Sequence, residues 1–264
     1  MTVILLRHGV STSNTAHTLA GRSAGVELTD RGTEQAEAVA ERLAELRIEH
    51  IVGSPLLRCQ RTVAPLARKL GLEPEYDDRL IEVDYGDWTG KALADLLTEP
   101  LWKVVQRHAS GAVFPGGEGL AQVQARAVSA IREHDRVFTQ QHGRDALWVA
   151  CTHGDVIKSV LADALGIHLD GFQRIVVEPA SISVVRYTPT APYVWRLNDT
   201  GTDLSALTPP DPPRAEADSR TDASADSGDS ADAEPVDTSG PVPGGEVGGS
   251  ANADNGNAER RDSL

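Results

Sequence analysis

The chain has 264 residues, 40% of them hydrophobic and 24% charged, and 39 acidic against 25 basic side chains give a formal net charge of −14. That balance excludes a nucleic-acid or anionic-membrane partner. The two cysteines, Cys59 and Cys151, are too few for a disulfide scaffold, and no apolar run reaches the length that a membrane-spanning helix needs.

The first element is Thr2 to Leu6, a continuous apolar run that reads as a strand buried on both faces, followed at once by Arg7, His8 and Gly9. Open α/β sheets place their ligands at the carboxyl ends of such strands, so Arg7 and His8 are candidate site residues. No basic leader precedes the strand, so no signal peptide is expected and a reducing cytoplasm is the expected compartment. A polar loop follows from Ser11 to Glu27, long enough to be functional. Thr29-Asp30 then caps a helix whose buried face is Ala36, Val39, Ala40, Leu43 and Leu46. A short strand, His50 to Gly53, leads into Ser54-Pro55, read as helix cap and first helical position, and a helix to about Leu70 that Pro65 should kink.

Glu73 to Ile81 reads as extended, and Val83 to Gly119 as an irregular cap beside a site, with Trp88, Trp102, Arg107, His108 and Phe114 expected at its far end. Leu120, Val123, Ala127, Ile131, His134 and Phe138 mark a long amphipathic helix, with His134 at the core edge. Leu147 to Cys151 is a second strongly apolar strand, ending in Thr152-His153-Gly154-Asp155, and Val156 to Leu165 is helical. Ile175 to Val177, Ile182 to Val185 and Tyr193 to Trp195 read as two or three antiparallel strands. Alternating strands and helices predict an α/β sheet covered on both faces. Residues 204–264 read as a disordered acidic tail: from Ser205 to Leu264 there are 13 Asp+Glu against 4 Arg, so −9 of the −14 lies there. The tail either aids solubility or meets a basic partner.

If the strands ending at His8 and His153 are parallel neighbours, and Arg58 lies in the first turn of the helix after the strand ending at Gly53, two imidazoles and two guanidiniums surround one point. Arginine forks and helix N-termini both suit a phosphoryl group. Among Asp77, Asp78, Glu82, Asp84 and Asp87, charge alone does not pick out an acid.

These residues resemble the histidine phosphatase superfamily, the phosphoglycerate mutase-like family. The likeness covers residues 1–203 in six motifs: Arg7-His8-Gly9 with Asn14; Leu28-Thr29-x-x-Gly32-x-x-Gln35-Ala36; Ser54-Pro55-Leu56-x-Arg58-x-x-x-Thr62; Leu80-x-Glu82 with Gly86-Asp87-Trp88-x-Gly90; Pro115-Gly116-Gly117-Glu118; and Thr152-His153-Gly154. The resemblance implies a three-layer α/β sandwich with a mostly parallel central sheet. It also implies a metal-independent phosphomonoester hydrolase with no cofactor, acting on a small phosphorylated metabolite. In that scheme His8 is the nucleophile that becomes phosphohistidine, and Arg7, Arg58 and His153 hold the phosphoryl oxygens. Glu82 protonates the leaving oxygen, and Asn14, Gly21, Arg22 and Gly154 help to bind substrate. Mutases of the family carry Trp before the asparagine of the first motif, where this chain has Ser13. Val10, Arg61 and Gly119 stand where relatives have Glu, Gln and Ser, and these departures leave substrate choice open. A phosphoglycerate mutase is the alternative, a non-catalytic phospho-ligand binder a more distant one, and the oligomeric state is open.

Overall fold

The fold is that of a computed structural model, which describes residues 1–201 and, beyond them, the backbone of Pro241–Val242 and Glu246–Val247. In chain order the elements are β1 (Thr2–Arg7), α1 (Thr12–Thr15), α2 (Asp30–Leu43), β2 (Ile48–Gly53), α3 (Leu57–Leu70), β3 (Glu75–Tyr76), α4 (Leu93–Leu96), α5 (Pro100–Arg107), α6 (Leu120–His142), β4 (Leu147–Thr152), α7 (Gly154–Leu165), β5 (Ile182–Tyr187) and β6 (Pro192–Asp199). The strands form one sheet in the order β3-β2-β4-β1-β5-β6. From β3 to β1 every neighbouring pair is parallel, while β5 and β6 close the sheet as an antiparallel hairpin beside β1.

Side chains alternate across a strand, and that alternation builds the two cores. Val3 and Leu5 of β1, with Trp148 and Ala150 of β4, face Ala127 and Ile131 of α6 and Val160 and Leu161 of α7. Ile4 and Leu6, with Val149 and Cys151, face Val39 and Leu43 of α2 and Val63 and Leu66 of α3. The result is the three-layer sandwich that the alternating pattern predicts. Cys59 and Cys151 are free, buried thiols.

Several local expectations are corrected. Helix α3 begins at Leu57 with Leu56 as its cap, not at Ser54-Pro55, because the Ser54 hydroxyl is drawn to the Leu56 N–H at 3.3 Å and to His153 Nε2 at 2.8 Å. Glu73 to Ile81 is extended only at Glu75–Tyr76; Asp77 then accepts a 2.8 Å hydrogen bond from the Arg79 N–H and caps a 3-10 turn, Asp78–Leu80. Ile175 to Val177 is not a strand: it follows a 3-10 stretch, Leu169–Arg174, and the Val177 carbonyl is taken by Arg7 Nη1 at 2.7 Å. Trp88, Trp102 and Phe114 are buried against one another, ring centres 6.3 and 5.3 Å from Trp88, so they form core and not the wall of a pocket. His108 pairs with Asp170 at 3.2 Å. The expected tail, 204–264, lies outside the described residues except for Pro241–Val242 and Glu246–Val247, which pair antiparallel.

Among the described residues no helix is long and apolar enough to cross a membrane.

Candidate active site

Because β1, β2 and β4 run parallel, their carboxyl ends meet at one sheet edge. Arg7 of β1 lies opposite Thr152 of β4, and Gly53 of β2 opposite Cys151. The next residue of each chain segment enters the site: His8 after β1, Ser54 after β2, and His153 at the N-terminus of α7. Arg58, in the first turn of α3, completes the ring, and all four of Arg7, His8, Arg58 and His153 are buried.

The loop carrying His8 is pinned on two sides. The Gly9 N–H donates to Thr62 Oγ1 at 3.0 Å, while the Thr62 hydroxyl donates to the Arg58 carbonyl at 2.7 Å. On the other side the Val10 N–H donates to Gln35 Oε1 at 2.9 Å, and the start of α2 approaches so closely that a Cβ on Gly32 would stand 2.0 Å from the Val10 carbonyl oxygen. The spacing from Thr29 through Gly32 to Gln35 thus serves a loop in another part of the chain.

His8 Nδ1 lies 2.8 Å from the Gly9 carbonyl oxygen, which can only accept, so Nδ1 carries the proton. In the neutral ring the lone pair is then on Nε2, and Arg58 Nε donates to it at 3.3 Å. Burial, then Arg58 and Arg7, hold the His8 pKa well below its usual value, so the ring is neutral and nucleophilic near pH 7. Arg58 Nη2 donates to the Gly21 carbonyl at 2.8 Å, while Arg58 Nη1 is buried without a hydrogen-bond partner among the described residues. His153 stands edge-on to His8, ring centres 5.2 Å apart, with Nδ1 likewise buried and unpartnered. Its pKa is also driven down, chiefly by burial and then by Arg58. Buried donors left unmade are costly, about 1–3 kcal/mol each, and their convergence describes a seat for an anion's oxygens.

Glu82 reaches the same point from the segment after β3. Its Oε1 accepts from the Val83 N–H at 2.9 Å and its Oε2 faces His153 Nδ1 at 3.8 Å. Burial first, then the nearby Asp155 charge, push its pKa up to about 7, against the pull of Arg58 and Arg7. This carboxyl can therefore hold a proton near neutrality. The position of its backbone is fixed by Arg126 of α6, whose Nη1 donates to the Arg79 and Ile81 carbonyls, both at 2.7 Å, and whose Nη2 donates to the Glu82 carbonyl at 3.2 Å.

A narrow cleft opens over His8, Arg58 and Glu82, walled by Ser13, Asn14, Gly21, Tyr85 and Leu93. Asn14 lies in α1 and accepts from the Ser11 N–H at 2.9 Å, which fixes the loop above His8. Gly21 offers its carbonyl to Arg58. Arg22 turns away from the cleft: it donates to the Glu82 carbonyl at 3.0 Å and pairs with Glu118 at 2.9 Å. Gly154 is the first residue of α7, behind His153. Sequence reasoning passed over Tyr85, Asp155 and Lys158, all fully buried next to the site. Their signal was present: Asp155 and Lys158, three residues apart, stand in a helix otherwise made largely of Val, Ile, Leu and Ala.

The family model of the histidine phosphatase superfamily (branch 1) matches residues 3–200. The chain belongs to that superfamily. Phosphoserine phosphatase 1 of Hydrogenobacter thermophilus is 28% identical to it over 204 residues, 75% of this chain and 92% of that protein. A protein named "Probable phosphoglycerate mutase GpmB" in Proteus mirabilis is 30% identical over 211 residues, covering 78% and 94%. Among solved structures, a mycobacterial glucosyl-3-phosphoglycerate phosphatase in complex with VO3 superposes with a TM-score of 0.68 at 26% identity, covering 75% of this chain and 98% of the other. The enzyme is accordingly a phosphomonoester hydrolase of the histidine phosphatase superfamily.

Proposed function

We propose that the enzyme cleaves phosphomonoesters in two steps through a phosphohistidine on His8, and that its substrate is a small phosphorylated metabolite. His8 Nε2 attacks phosphorus, the ester P–O bond breaks, and Glu82 gives its proton to the departing oxygen. Glu82, now ionised, takes a proton from water as the water attacks the phosphohistidine, which frees inorganic phosphate and restores both residues. Arg7, Arg58 and His153 hold the non-bridging oxygens, and the arginines supply the positive charge, so the scheme needs no metal. Asn14 and the turn at Gly21 border the leaving group, Gly154 supports His153 from α7, and Arg22 acts on Glu82 through its backbone. The catalytic unit is residues 1–203, and its buried, unpaired thiols suit a reducing cytoplasm.

The observation that supports the reading is the lone pair of His8 Nε2 held beside two buried nitrogens, Arg58 Nη1 and His153 Nδ1, that have no hydrogen-bond partner among the described residues. The test is phosphate release from 4-nitrophenyl phosphate and from a panel of phosphorylated metabolites, with an acid-labile phosphoryl group trapped on the wild-type protein and neither signal in His8→Ala. A mutase reading is favoured by the likeness to the Proteus mirabilis protein. Rapid conversion of 3-phosphoglycerate to 2-phosphoglycerate in the presence of 2,3-bisphosphoglycerate, without net phosphate release, would establish it instead.

A further inference from the structure

Three fully buried polar side chains, Tyr85, Asp155 and Lys158, take no part in the two-step scheme. The Tyr85 hydroxyl donates to Asp155 Oδ2 at 2.8 Å. Asp155 Oδ1 lies 3.6 Å from Lys158 Nζ, which donates in turn to Gln173 Oε1 at 3.0 Å and sits 5.7 Å from the centre of the Phe172 ring. Burying an ion pair inside a helix of apolar residues contributes little to stability, since a hydrophobic pair packs there as well. The cluster is joined to the cleft through Tyr85, whose ring lines it beside Glu82.

We propose that Asp155 is a positioning residue for leaving-group protonation: anchored by Tyr85 and Lys158, its buried negative charge keeps the proton on Glu82. The proposal rests on the reading of Glu82 as the acid. The other charges around Glu82 act against it. Arg7 from β1, Arg58 from α3 and the Lys158 ammonium from α7 favour the ionised carboxyl, the neutral His153 faces it at 3.8 Å from the β4–α7 turn, and Arg22 and Arg126 hold its backbone carbonyl. Burial and Asp155 are the two influences that raise its pKa, to about 7, and Asp155 is the one that a substitution can remove. Lys158, one turn further along α7, faces that charge at 3.6 Å. The fully buried Tyr85 hydroxyl, its pKa pushed well above the usual value by burial, stays a donor throughout.

The experiment is the pH dependence of kcat/KM for an alkyl phosphate, measured on the full-length wild type, Asp155→Asn, the double variant Asp155→Asn/Lys158→Met and Glu82→Gln. The ester's own ionisation is common to all four. Loss of the Asp155 charge moves the alkaline limb acidward by about one pH unit, a tenfold loss of rate above the limb with little change below it. The double variant, which leaves no buried ammonium unpaired, moves the limb in the same direction by a smaller amount, because the Lys158 charge that favours ionised Glu82 is lost with it. A limb that stays in place while rates fall by one factor at every pH assigns the cluster to packing and overturns the proposal. So does a chain that folds with neither substitution. Glu82→Gln separates the two readings. If its profile keeps the limb, Glu82 is not the acid and the underlying scheme fails. If the limb vanishes there but Asp155→Asn leaves it in place, only the role of Asp155 fails.

Discussion

Glu82 Oε2 and His153 Nδ1, both on buried side chains, face each other at 3.8 Å, too far apart for a hydrogen bond and close enough that one phosphoryl oxygen can touch both. In the proposed scheme the acid and an oxyanion donor thus stand together beside His8. Glu82→Gln keeps the shape and removes the proton. For alkyl phosphates kcat/KM falls about 100- to 1,000-fold, the usual worth of a positioned general acid. For 4-nitrophenyl phosphate, whose leaving group needs no proton, the loss in kcat/KM is at least tenfold smaller. Equal losses on both esters would remove Glu82 from the acid role.

The pH profile follows from two opposed shifts. His8 must be neutral to attack, and its pKa is driven well below the ordinary histidine value by burial and by Arg58. Glu82 must be protonated, and its pKa is raised to about 7. Lowering the first extends activity toward acid, and raising the second extends it toward neutrality, so a window opens between them. With alkyl esters kcat/KM is greatest on the acid side of neutrality and falls about tenfold per pH unit above about 7 as Glu82 loses its proton. The macroscopic limbs belong to the coupled site. An optimum above pH 8 would contradict the assignment.

Much of this arrangement was legible before any coordinates. The run Val3 to Leu6 and the run Leu147 to Cys151 are apolar on both faces, which is what central parallel strands require, and each ends in a histidine. Once they are parallel neighbours, His8 and His153 have to meet. Arg58 was legible because it follows a third such strand by a few residues. What failed was local. Ser54 reads as a helix cap because its residue type commonly is one, yet a tertiary partner, His153, takes its hydroxyl. Ile175 to Val177 has strand composition, but Arg7 claims the Val177 carbonyl, and among the described residues the segment pairs with no strand of the sheet. The aromatic residues between Trp88 and Phe114 face a core whose other half lies on α6 and α7, and no pattern within their own segment reports that. Arg22, which the resemblance sets beside the substrate, donates to Glu118 and to the Glu82 carbonyl, contacts that no local pattern reports.

Arg58 turns its guanidinium in three directions: Nε donates to His8, Nη2 to Gly21, and Nη1, buried with no partner among the described residues, is the donor that the proposed scheme gives to the substrate. A lysine carries one nitrogen on a flexible stem and cannot span those directions. Arg58→Lys keeps the charge, yet kcat falls about 100- to 1,000-fold, the scale of losing an oxyanion donor. Inhibition by vanadate weakens in parallel, while the melting temperature changes little. A variant within tenfold of wild type would mean that charge alone, and not the fork, serves the phosphoryl group.

The loop that aims His8 depends on one close approach. A Cβ at Gly32 would meet the Val10 carbonyl oxygen at 2.0 Å and the Val10 carbonyl carbon at 2.9 Å, both backbone atoms that no side-chain rotation can move. Relief requires α2 to withdraw, and the 2.9 Å bonds from the Thr29 N–H to the Val10 carbonyl and from the Val10 N–H to Gln35 would lengthen with it. Gly32→Ala therefore destabilises the protein by about 3 kcal/mol, as strain at a packed backbone contact does, and lowers the melting temperature by about 6–12 °C. Because the same loop carries His8, kcat falls more than the stability loss explains when the variant is assayed well below its melting point. An alanine variant with unchanged melting temperature and full kcat would show that α2 can move without disturbing His8, and that the Thr62 contact with Gly9 suffices to hold it.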